Sequence, residues 1–70
     1  MPEGFFYTTE RIAGDLGLRR AADEITVALL FQRADNEFVV TAVWFPRPVT
    51  KHATLPLALA AMEDIARLTH

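Results

Sequence analysis

Two apolar, β-prone runs lie next to each other in residues 25–45, and they constrain the fold more than any other feature of the chain. The first runs from Ile25 to Gln32 and the second from Glu37 to Phe45; both are rich in β-branched and aromatic side chains. Between them stand Arg33, Ala34, Asp35 and Asn36, with Asp35 and Asn36 suited to a tight turn. Strand side chains alternate between faces. Ile25, Val27, Leu29 and Phe31 therefore share one face, and Thr26, Ala28, Leu30 and Gln32 share the other. In the second run Phe38, Val40, Ala42 and Trp44 oppose Val39, Thr41, Val43 and Phe45. A hairpin with one wet face carries one polar row. Here only two threonines and Gln32 break the apolar rows, so the sheet needs cover on both sides.

One cover is visible as a C-terminal helix over residues 54–69. Thr54 is suited to cap it, and Pro56 falls in the first turn, where a missing N–H does no harm. Leu55, Leu59, Met62, Ile65 or Ala66, and Thr69 follow helical spacing, with Leu57, Ala58 and Leu68 widening the stripe. Glu63 and Arg67 are spaced as an i,i+4 ion pair. The second cover is then the N-terminal segment, a second copy of the chain, or another protein. Residues 5–8 are aromatic and β-prone and predict a third strand. Residues 10–24 predict a helical turn and a loop, with Thr9 as a cap and Ile12, Ala13 and Leu16 on one helical face; 18–23 predicts a second short helical stretch. Residues 46–53 predict a loop, because Pro46 and Pro48 exclude helix. Arg47, Lys51 and His52 make this loop a local positive patch. The expected fold is α+β: one domain over 1–70, a small antiparallel sheet of about three strands, and a C-terminal helix on one face.

Seventy residues bury only ~60% of their unfolded surface, so such a chain is marginally stable on its own. Disulfides, a metal or oligomerisation are the usual remedies. There is no cysteine, and two histidines are too few for a structural zinc site. Oligomerisation or partner binding is left. The net charge of −2 argues against a strongly basic nucleic-acid binder. No apolar run approaches the ~20 residues of a membrane span. The first residues lack the basic and apolar regions of a signal peptide, so the expected location is cytoplasmic.

The chemistry is sparse. Serine and cysteine, the commonest nucleophiles, are absent. Thr26 and Thr41 suit strands, and Thr9 and Thr54 suit caps. The pairs Asp23-Glu24 and Glu63-Asp64 have the composition of acid–base dyads but equally that of solvated surface. His52 beside Lys51 reads either as a base or phosphate contact, or as an exposed loop residue. No glycine-rich phosphate loop occurs. The expectation is a protein that is not an enzyme and uses no cofactor and no metal. Trp44 has two readings, sheet core beside the helix or an interface anchor, since tryptophan is enriched in binding hot spots.

The order of hairpin, loop and capped helix resembles the partial double-stranded-RNA-binding-domain fold of HicB-like antitoxins. The matching residues are 37–45, followed by Thr54, Leu55, Pro56, Leu57, Ala58, Leu59 and Ala60, within about residues 25–69. That resemblance implies a small protein that neutralises an RNA-cleaving partner by covering its active surface. In size and architecture the chain is also similar to phage-encoded anti-CRISPR proteins, which block nucleic-acid-handling complexes. Fold does not dictate function, so both are analogies. The expected partner is a larger protein or ribonucleoprotein complex, with a homodimer as a further option and no membrane. The expected binding residues are Val39, Val43, Trp44, Phe45, Arg47, Lys51 and His52. The alternative is a small DNA- or RNA-binding regulator. In it residues 10–20 resemble the start of a helix-turn-helix, and Arg11, Arg19 and Arg20 would contact nucleic acid.

Overall fold

The computed structural model of the protein describes residues 3–9, 16–44 and 49–68. Five strands precede one helix: β1 (Phe5–Thr8), β2 (Leu16–Arg20), β3 (Thr26–Ala34), β4 (Glu37–Ala42), β5 (Val49–His52) and α1 (Leu55–Leu68). The strands form one antiparallel sheet in sequence order, β1-β2-β3-β4-β5. The α+β class and the C-terminal helix match the expectation, but the sheet has five strands rather than about three.

The two added strands correct two readings. Leu16–Arg20 is a strand and not part of a helical turn and loop. Leu16 and Leu18 are two apart, which fits a strand as well as a helix over so short a run. Pairing on both sides decides between them. Leu18 lies opposite Tyr7 of β1 and Ala28 of β3, and is fully buried. Context of this kind overrides weak local propensity. The expected helix over 18–23 is replaced by strand and turn, and the helix-turn-helix reading fails where it includes 16–20. Its other residues, 10–15, lie outside the described residues. The predicted 46–53 loop contains β5, an edge strand with β-branched Val49 and Thr50. A proline just before an edge strand is compatible with pairing.

The turn from β2 to β3 is held by side chains. Arg20 Nη2 donates to Asp23 Oδ2 at 2.8 Å, and Arg20 Nε to Oδ1 at 3.1 Å. Asp23 Oδ1 also accepts from the Ile25 amide at 3.2 Å. Glu24 takes up the reversal at φ 58°, in the left-handed region.

Cross-strand register sorts the sheet into two faces, since directly paired residues share a side. Tyr7, Leu18, Ala28 and Ala42 form one row toward α1; Leu16, Leu30, Val40 and Thr50 form the next; Phe38 and His52 follow. The helix lays Ala58, Met62, Ile65 and Ala66 on this face. Leu18, Val40 and Met62 are the largest fully buried side chains. The alanines at 28, 42, 58 and 66 are all fully buried, which lets the helix lie close to the sheet. Leu55, Leu57 and Leu68, expected on the packed stripe or its margin, are exposed. The expected Glu63–Arg67 pair is also corrected: Arg67 binds Asp64, while Glu63 Oε2 accepts from the Tyr7 hydroxyl at 3.3 Å and ties α1 to β1.

Candidate functional site

Among the described residues, no helix lies on the face of the sheet away from α1. By alternation this face carries Phe6 and Thr8 of β1, Gly17 and Arg19 of β2, Leu29 and Phe31 of β3, Val39 and Thr41 of β4, and Val49 and Lys51 of β5. Leu29 lies opposite Thr41, and Phe31 opposite Val39. Val39 is only 8% exposed although it is not part of the helix-side core. Toward the edges the apolar residues open to solvent, with Phe6 at 36% and Val49 at 59%.

On the helix side, a cleft of about 300 Å³ opens between the end of the sheet and the C-terminal half of α1. Trp44, Thr50, His52, Ala61, Asp64, Ile65 and Leu68 line it. Trp44 packs against the core and presents its remaining surface to the cleft. Thr50 and His52, two apart on β5, point the same way, and their Oγ1 and Nε2 atoms lie 2.8 Å apart. That contact orients the imidazole. Leu68 forms an exposed rim, and the Asp64 carboxylate is engaged by Arg67.

The structure thus divides the residues expected from sequence to bind a partner. Val39 and Lys51 belong to the face away from α1, and Val43 is half-buried just past β4. Trp44 and His52 meet in the cleft on the opposite side. Phe45 and Arg47 lie outside the described residues. Of the residues of the alternative reading, Arg20 is committed to Asp23, Arg19 is half-buried on β2, and Arg11 lies outside the described residues. Sequence reasoning missed Phe6 and Val49 on the face away from α1, and Thr50, Ala61, Asp64, Ile65 and Leu68 in the cleft. The alternation that placed Leu29 and Phe31 in an apolar row could have added them to the candidate set. The cleft had no such signal, because it joins residues from β4, β5 and α1.

Among the described residues, no three His, Cys, Asp or Glu side chains are grouped as metal donors, and no helix is long and apolar enough to cross a membrane. No protein-family model, no curated protein and no solved structure matches this chain.

Proposed function

We propose that this chain is a small, non-enzymatic, cytoplasmic binding module that inhibits a larger nucleic-acid-handling partner by occupancy, in the manner of an antitoxin or a phage anti-CRISPR inhibitor. The observation that carries this reading is the open apolar cleft containing the single tryptophan, with His52 at its wall. An aromatic-lined concavity is the kind of feature that receives an anchoring side chain of a partner. The net charge of −2, with Asp64 in the cleft's lining, suits a basic surface of the kind that holds nucleic acid.

The test is capture from a host lysate with and without nuclease, using the natural chain and Leu68→Glu. Leu68 is 78% exposed, so this change charges the cleft rim without disturbing the core. A stoichiometric, nuclease-resistant protein is expected. Added chain should suppress that protein's nucleic-acid binding or cleavage, and Leu68→Glu should weaken capture at least about tenfold. A captured protein that keeps full activity overturns the reading. So does recovery of nucleic acid alone, lost at raised salt, which would mark a nucleic-acid binder.

A further inference from the structure

We infer that β5 receives an extended segment of a partner protein as a sixth strand, which carries a large apolar side chain into the Trp44 cleft and an acidic one beside Lys51. The segment's place in the cleft rests on the proposed binding role of that site, and not on inhibition. β5 is the last strand of the sheet and pairs with β4; among the described residues no strand lies on its other side. Val49, Thr50 and Lys51 are all exposed, Val49 at 59%. An edge strand turns the N–H and C=O of alternate residues outward, a template on which an extended segment pairs. The cleft lies along the same edge. Thr50 and His52 line it with Trp44 and the C-terminal half of α1, and no residue of β1, β2 or β3 is in its wall. At the opposite edge, Tyr7 of β1 is instead tied to α1 through Glu63.

Register assigns the segment's side chains. Directly paired residues share a face. A residue opposite Thr50 or His52 therefore turns toward α1 and meets Trp44 and the apolar wall of Ala61, Ile65 and Leu68. An aromatic side chain suits that lining, since a ring buries a large area against Trp44. A residue opposite Lys51 turns the other way and extends the row Phe31, Val39, Lys51. Among the described residues the ion pairs are Arg20–Asp23, Arg33–Glu37 and Arg67–Asp64, and Lys51 is in none of them. A carboxylate directly across from Lys51 complements its charge. The same charge argues against a second copy of this chain, because lysine on an edge strand discourages like strands from pairing. β5 on β5 centred at Lys51 sets ammonium against ammonium.

The probe is a blocked pentapeptide, threonine-phenylalanine-glutamate-phenylalanine-threonine. It is titrated into the full chain and followed by the fluorescence of Trp44, the only tryptophan. A saturable change in emission is expected. Lysine in place of the peptide's glutamate should weaken binding on the order of tenfold, and Lys51→Glu should reverse that preference. Lys51 is exposed, so this exchange leaves the core untouched. Two further peptides are N-methylated, one at both phenylalanines and one at the glutamate and last threonine. Pairing as a strand uses alternate amides, so one pattern should abolish binding and the other spare it. No response of Trp44, no dependence on the charge at position 51, or equal binding of the two methylated peptides overturns the inference. A dimer of the chain that the peptide dissociates also overturns it, since a second copy then holds the edge. In the lysate capture, an inhibited partner that binds Lys51→Glu as well as the natural chain removes this inference alone. A captured partner that keeps full activity removes only the inhibitory reading.

Discussion

Tyr7 is the only tyrosine in the chain, and its phenol is pushed up to about 12, first by burial and then by the negative charge and hydrogen bond of Glu63. The unfolded chain ionises near ~10. Between those values the unfolded state loses a proton that the folded state keeps. The contribution of Tyr7 to stability is therefore whole below pH ~10 and is lost as pH rises toward 12. The stability difference between the natural chain and Tyr7→Phe should be constant at neutral pH and shrink over that window in urea titrations. Asp23 has the opposite sign. The Arg20 hydrogen bonds, then the Ile25 amide, hold its carboxyl below the ordinary range. Its contribution is present above ~3.9 and lost as pH falls further. The gap in urea midpoint between the natural chain and Asp23→Asn should close on acidification; a gap unchanged at low pH would contradict the Arg20–Asp23 assignment. In the same turn, Glu24 holds a left-handed φ that disfavours a side chain. Glu24→Gly is expected to leave stability unchanged or raise it by up to about 1 kcal/mol, whereas a β-branched residue there should lower it.

The helix depends on a narrow row of packed side chains. Met62 is fully buried between Ala58 and Ala66, one turn to either side. Met62→Ala should cost about 2–4 kcal/mol by leaving a cavity over the sheet, while Leu68→Ala, at the exposed end, should change stability by less than about 0.5 kcal/mol. Equal losses at the two positions would mean the helix packs on a different face. The N-terminal cap is modest. The Leu57 amide reaches Thr54 Oγ1 at 3.4 Å, and Thr54→Ala should fall at the low end of cap losses, about 0.5 kcal/mol. Among the strands, β2 depends most on its neighbours. It is paired on both sides, yet its sequence contains a glycine and two arginines.

At the scale of the whole molecule, one core joins α1 to the sheet, from Phe5 of β1 through Leu18 and Leu30 to Val40 and Ala42 of β4. Trp44 packs against that core, so its fluorescence and the far-UV signal should report one coincident unfolding transition.

Residues 25–45 and 54–68 carried enough local signal to be recognised. The β-branched and aromatic residues of β3 and β4 with a turn between them, and Pro56 and Thr54 at the start of α1, state their element within a few residues. Strand β1 was legible for the same reason. β2 and β5 were not, because Leu16–Arg20 and Val49–His52 are too short and too mixed to prefer a strand until neighbouring strands offer hydrogen-bond partners on the sheet. The doubly apolar sheet was determined by sequence alone, since period-two patterning assigns residues to faces without knowing what lies over them. Which face α1 covers was decided only by tertiary structure. So was the meeting of Trp44, His52 and Leu68 in one cleft, because proximity between residues 44, 52 and 68 depends on where the helix returns across the sheet.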